Sequence, residues 1–145
     1  MWLSEWLKKR NTALSASSPK RLRILAVSIS LDDIFMLEYL GNQHGWEMKF
    51  AGSPQEAFKL ASCSGFDLIL CDRNQSGFPW REVMDRLAAS SPRSCILLVA
   101  PIKDDYLWWD VLHHRGFDVL IRPLREEIVL RAVDTAMRCL SPMVS

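Results

Sequence analysis

The chain has 145 residues, 49% of them hydrophobic and 24% charged, a balance that argues against disorder and suffices for one compact domain. Eighteen Lys and Arg against 17 Asp and Glu leave a formal charge of +1, too weak a field to hold nucleic acid or an anionic membrane. No run approaches the roughly 18 apolar residues of a membrane span, and the N-terminus lacks the unbroken apolar stretch of a secretory signal. A cytoplasmic protein is therefore expected, with neither nucleic acid nor membrane as partner.

In chain order, "MWLSEWLKKR" comes first and predicts a short amphipathic helix with Trp2, Leu3, Trp6 and Leu7 on one side. The small, Ser-rich stretch "NTALSASSPK" reads as a linker. Residues 1–20 form an appended extension, residues 21–140 the main domain and residues 141–145 a C-terminal tail. From Arg21 onward, short apolar runs alternate with helix-length amphipathic segments, the pattern of βαβ units around a parallel sheet. Strands are predicted at residues 23–27, 47–51, 66–71, 95–100 and 119–121. Four are almost wholly apolar, as strands covered on both faces must be. "WEMKFA" instead alternates Trp46, Met48 and Phe50 with charges and is expected at a sheet edge.

Helix signals fall between the strands. Ser30 is a candidate N-cap for the first helix, with Asp32 and Asp33 placed to complement its dipole. "SPQE" supplies Ser53 as N-cap, Pro54 at the first helical position and Glu56 for a capping box. Trp80, Val83, Met84 and Leu87 form the apolar stripe of the third helix, and Val129, Ala132, Val133, Ala136, Met137 and Leu140 that of the last. On the fourth, Leu107, Trp108, Val111 and Leu112 share the expected core side. Tyr106, Trp109 and His113 fall on the opposite face, an aromatic stripe that points to contact with a partner or with the N-terminal segment.

Other chemistry finds little support. His44, His113 and His114 have no Ser or Cys partner at a recognisable spacing, and no phosphate-cradling glycine pattern follows the first strand. Cys63, Cys71, Cys95 and Cys139 make no CxxC or Cys/His spacing and read as reduced, small core residues.

Asp72 ends the apolar run of "FDLILCDRNQSG", and carboxyl ends of parallel strands are where α/β sheets gather their chemistry. Together with "RILAVSIS", "GWEMKFAGSPQEAFKL", "ILLVAP" and "GFDVLIRPL", this stretch resembles, in order and spacing, the receiver domains of bacterial two-component response regulators. The resemblance spans about residues 21 to 140. It implies a flavodoxin-like three-layer α/β/α fold, with a five-stranded parallel sheet in the order 2-1-3-4-5, and Asp72 as the position that accepts a phosphoryl group from a histidine kinase. It also implies a divalent cation, usually Mg²⁺, held by the acceptor, by acids after the first strand and by the backbone carbonyl of Asn74. The cation offsets the repulsion between carboxylate and phosphoryl group.

The sequence departs from that pattern where the chemistry is concentrated. Ser28 and Ile29 occupy the places of the acid pair, Ala100 replaces the hydroxyl residue near the end of the fourth strand, and Val119 replaces the aromatic switch residue. Arg122, before Pro123, aligns with the bridging lysine. It keeps the charge but not the point geometry. Asp32 and Asp33 fall three to four residues too late to substitute for the acids. The expectation is a stand-alone atypical receiver that is not an enzyme, binds Mg²⁺ weakly or not at all and needs no cofactor. It would act by contact with a signalling protein (a histidine kinase or its target) or as a homodimer, while Asp72 persists through an ion pair with Arg122. The alternatives are a receiver still phosphorylated at Asp72 and a small-ligand-binding pseudo-receiver.

Overall fold

The computed structural model describes residues 21–74 and 77–144, with side chains through residue 138; the segment 1–20, including the helix expected at its start, lies outside the described residues. Five strands alternate with five helices: β1 (Arg23–Val27), α1 (Leu31–His44), β2 (Glu47–Ala51), α2 (Pro54–Cys63), β3 (Leu68–Asp72), α3 (Trp80–Ser90), β4 (Cys95–Ala100), α4 (Asp105–His113), β5 (Asp118–Ile121) and α5 (Glu126–Val144). All strand pairs are parallel and the sheet order is β2-β1-β3-β4-β5, the 2-1-3-4-5 arrangement. The alternating "WEMKFA" strand is at an edge.

Period-two alternation divides the core into two layers. Leu25, Val27, Ile69, Cys71, Ile96, Leu98 and Ala100 face α2, α3 and α4, packing with Ala57, Val83, Met84, Leu107 and Val111. Ile24, Ala26, Leu68, Leu70, Leu97 and Val99 face α1 and α5, packing with Leu37, Leu40, Val129 and Val133. Burying one Leu, Ile or Val side chain contributes about 1.5–3 kcal/mol, and these two layers hold the sheet in a fixed register. The register aligns the carboxyl ends of the strands: Val27 pairs with Cys71, Asp72 with Val99, and Ala100 with Ile121.

Local details differ from expectation in several places. β3 begins at Leu68 and includes Asp72; just before it, Asp67 already joins the neighbouring strands, its backbone N–H donating to the Arg23 carbonyl, its carbonyl accepting from the Cys95 N–H, and its side chain accepting from the Arg23 N–H at 2.9 Å. α5 continues to Val144. Ser30 has N-cap backbone geometry, but its side chain makes no capping bond. Ser53 accepts the Glu56 N–H at 3.2 Å as a cap should, whereas Glu56 returns its carboxylate to the N–H of Gly52 at 2.9 Å, one residue earlier than a capping box. Cys71 and Cys95 are buried and Cys63 is exposed, since it ends α2 on the side away from the sheet.

Candidate functional site

Asp72 closes β3 at the carboxyl edge of the sheet, and its side chain is enclosed: the residue is 1% exposed. One carboxylate oxygen, Oδ1, accepts the Asn74 N–H at 2.8 Å. The other accepts from Arg122 Nη1 at 2.9 Å. Arg122 follows β5 directly, and its own N–H donates to the Ala100 carbonyl at 2.9 Å, which fixes the backbone from which the guanidinium reaches back over two strands. The sheet thus brings Asp72, Asn74, Ala100 and Arg122 together at the carboxyl ends of β3, β4 and β5.

Ser28 stands beside this cluster, one residue past Val27, the register partner of Cys71. Its φ is +57° and its N–H donates to the Ala51 carbonyl at 2.8 Å. A left-handed conformation at a non-glycine residue costs about 1–2 kcal/mol, held here by that hydrogen bond. Ile29 is buried in the layer beneath α1 and α5. Ala100 is fully buried and Val119 sits under Leu107 and Val111 of α4.

This donor set does not fit a hard divalent cation. Mg²⁺ requires near-octahedral oxygen coordination and sheds its water shell only for anionic ligands. Ser28 offers a neutral hydroxyl, Ile29 only hydrocarbon, and the Asp72 carboxylate bonds to a guanidinium. Among the described residues no group of three or more His, Cys, Asp or Glu is placed to hold a metal.

Of the two acids in the first turn of α1, Asp32 is exposed, as a dipole-complementing residue should be. Asp33 is 2% exposed, and Oδ1 accepts the Leu124 N–H at 2.9 Å across 91 residues. Its position in the first turn gave no hint of this role, which is to tie α1 to the loop between β5 and α5.

On α4, Tyr106, Trp109 and His113 are exposed. Within this stripe His113 Nδ1 lies 2.8 Å from the Trp109 carbonyl oxygen and the two rings lie 5.9 Å apart. The expected core side is narrower than the four residues assigned to it: Leu107 and Val111 are buried, while Trp108 and Leu112 are 36% and 37% exposed. At about 100° per residue these two lie on the flank away from α3. The α3 flank is occupied by Asp110, bonded to Arg81, and by His114, whose Nδ1 is 2.9 Å from Asp85. His114 is thus half-buried between two helices and edge-on to Trp80, not a plain surface residue. Trp108 packs edge-on against Trp109 at 5.5 Å. The exposed aromatic surface therefore extends from the outer face of α4 toward β5. Beyond it lies a groove of about 240 Å³ between β5 and α5, bordered by Lys103, Phe117, Ile128 and Arg131.

No protein-family model matches the chain, and no curated protein matches it. Solved structures do. The receiver domain of a putative LuxO repressor protein from Vibrio parahaemolyticus superposes with a TM-score of 0.76 at 14% identity, covering 86% of this chain and 95% of its own. A two-component response regulator from Clostridium difficile gives 0.74 at 22% identity, covering 81% and 97%. A response regulator protein from Burkholderia pseudomallei, solved with a phosphorylated aspartic acid, calcium ion and citrate, gives 0.66 at 18% identity, covering 84% and 72%. The chain has the fold of a response regulator receiver domain.

Proposed function

We propose that this protein is a receiver-type signalling module that acts by protein contact, with phosphoryl transfer to Asp72 weakened or lost. The observation that carries this reading is the enclosed state of Asp72: a carboxylate 1% exposed, bonded on one oxygen to Asn74 and on the other to Arg122. An acceptor carboxylate attacks with an oxygen lone pair and needs a nearby cation to neutralise the charge that develops. At this site the positive charge comes from Arg122, and the adjoining residues Ser28 and Ile29 bring no anionic ligand. Ala100 brings no hydroxyl for a phosphoryl oxygen. The Burkholderia pseudomallei protein carries both a phosphorylated aspartic acid and a calcium ion; this chain has Asp72 at the end of β3, with Ser28 and Ile29 after β1.

The contact surface we assign is the exposed face of α4, with Tyr106, Trp109 and His113 at its centre and Trp108 and Leu112 on the flank toward β5. A contiguous aromatic surface of this kind is the usual core of a protein interface. The partner is a signalling protein, a histidine kinase or its target, or a second copy of the chain. No helix of the described residues is long and apolar enough to cross a membrane.

The test is incubation with a small phosphodonor and Mg²⁺, followed by intact mass measurement. No stable gain of a phosphoryl group is expected. A gain in the wild type that disappears in Asp72→Asn would establish a phosphorylatable receiver instead.

A further inference from the structure

α1 exposes a second apolar surface, on the opposite side of the sheet from α4. Leu31, Phe35 and Tyr39 are 64%, 61% and 51% exposed. They recur every four residues, which places them in one row along the outer face of the helix. The opposite side of α1 is fully used: Leu37 and Leu40 are buried against the sheet and Asp33 against the β5–α5 loop. The outer row is therefore surplus to the core, and an apolar row of this length on a helix usually meets a partner.

We propose that the row is covered by residues 1–10 of the same chain, "MWLSEWLKKR", docked along α1 as a short amphipathic helix. Three observations select this occupant. The first is reach. Arg21 is tied to the C-terminal end of α1, its Nε donating to the Gly45 carbonyl at 2.9 Å and Nη2 to the Trp46 carbonyl at 3.1 Å. From that anchor the ten-residue linker spans up to about 33–36 Å, whereas α1, with its 14 residues, is about 21 Å long. Every point on the row lies within range, without the chain having to pass around the sheet to reach α4.

The second is pattern. Trp2, Leu3, Trp6 and Leu7 recur at helical spacing, and a row with i, i+4 periodicity matches one with i, i+4, i+8. The third is charge. α1 contains Asp32, Asp33 and Glu38 and no Lys or Arg, and Asp32 and Glu38 are exposed beside the row. Residues 1–10 carry Lys8, Lys9 and Arg10 against the single acid Glu5, so the two surfaces are complementary in sign.

Amide hydrogen exchange on the full chain tests the proposal. The backbone of residues 1–10 is expected to exchange at least about tenfold more slowly than an unstructured peptide, equally at low and high protein concentration. Phe35→Glu, and separately Tyr39→Ser, should abolish that protection while the sheet amides remain slow; both sites are exposed, so the fold should tolerate either change. Trp109→Ala should leave it intact. Exchange of residues 1–10 at the free-peptide rate in the wild type would overturn the proposal without recourse to any variant. Protection that survives both α1 substitutions, that is lost in Trp109→Ala, or that vanishes on dilution would overturn it in favour of another site in the chain, the α4 face, or a second copy.

Discussion

Arg122 and Asp72, fifty residues apart, meet at 2.9 Å between Nη1 and Oδ2, with the carboxylate side chain buried and the guanidinium part-exposed. Such a pair is asymmetric. Removing the arginine leaves a charge in a site with little water, whereas removing the aspartate leaves a cation free to turn toward solvent. Arg122→Ala is expected to lower stability by about 2–4 kcal/mol. Asp72→Asn, which retains an acceptor for the Asn74 N–H, should cost less. Urea unfolding of both single variants and the double variant checks this. A double-variant loss equal to the sum of the singles would mean that the two side chains are not coupled.

Asp33 gives a second expectation. If its value lay in the dipole of α1, neutralising it would cost about 0.3–1 kcal/mol. Because it instead accepts the Leu124 N–H in a buried site, Asp33→Ala leaves a buried donor without its acceptor, at about 1–3 kcal/mol, less what is regained by removing Oδ2, which is buried without a hydrogen-bond partner among the described residues. Asp32→Ala, on the exposed side of the same turn, serves as the control. Equal losses in the two variants would rule out a tertiary role for Asp33.

These two carboxylates show what could be read in the chain. The strands were legible because four of the five are unbroken apolar runs, and a parallel sheet covered on both faces demands that composition. The edge position of β2 was legible from its alternation. The role of Asp33 was not, since an acid in a first helical turn has a sufficient local explanation and its partner lies on the far side of the fold. Trp108 and Leu112 are more exposed than their helical phase implies for a related reason. A helical wheel gives phase but not the width of the surface beneath, and α4 packs against the sheet margin at β5, where Leu107 and Val111 fill the available contact. At the carboxyl edge of the sheet, the resemblance to receivers singles out Ser28, Ile29, Ala100 and Arg122, of which Ile29 is buried in the layer beneath α1 and α5. The enclosure of Asp72 required the register of three strands.

The clasp between α3 and α4 carries a pH dependence. Hydrogen bonding from Arg81 holds the Asp110 carboxyl below its ordinary value of 3.8, outweighing the opposing effect of burial. A folded-state value below the unfolded one means that the pair contributes stability above the ordinary carboxylate range and loses it as pH falls through the folded-state value. The Arg81 side chain is half exposed and that of Asp110 about a third exposed, so solvent screening should keep the contribution under about 1 kcal/mol. Asp110→Asn should therefore be slightly less stable than wild type near neutrality and indistinguishable from it in strong acid. A gap between the two that persists unchanged into acid would exclude the ion pair as its cause.

Trp109 lies on the exposed face of α4 and contributes nothing to either core layer. Trp109→Ala should leave the melting temperature of the monomer nearly unchanged, within about 0.5 kcal/mol, and weaken self-association or binding to a purified partner by roughly 2 kcal/mol or more if the ring is an interface anchor. Sedimentation velocity over a concentration series, with a parallel thermal melt, separates the effects. Loss of folding would place the ring in the core; no change in association would remove α4 as the contact face.

Ser28→Asp, alone and with Ile29→Asp, returns carboxylates to the two positions that follow β1 beside Asp72. Position 28 has a φ of +57°, a region Asp enters more readily than most residues, so the single variant should fold. Ile29 is buried among α1 and α5 side chains, so the second substitution removes apolar packing and adds a charge. Without metal, the double variant should be markedly destabilised, because a charge replaces apolar packing at position 29 and a second carboxylate adjoins Asp72 at position 28. Mg²⁺ should recover part of that loss, following RT ln(1 + [Mg²⁺]/Kd), about 2.7 kcal/mol when the ion is at a hundred times its Kd. The wild type, with Ser28 and Ile29 in place, should show no melting shift specific to Mg²⁺ when ionic strength is matched. A wild-type shift equal to that of the variants would mean that the crevice already binds the cation, and the reading of Asp72 as a carboxylate kept for its pair with Arg122 would then fail.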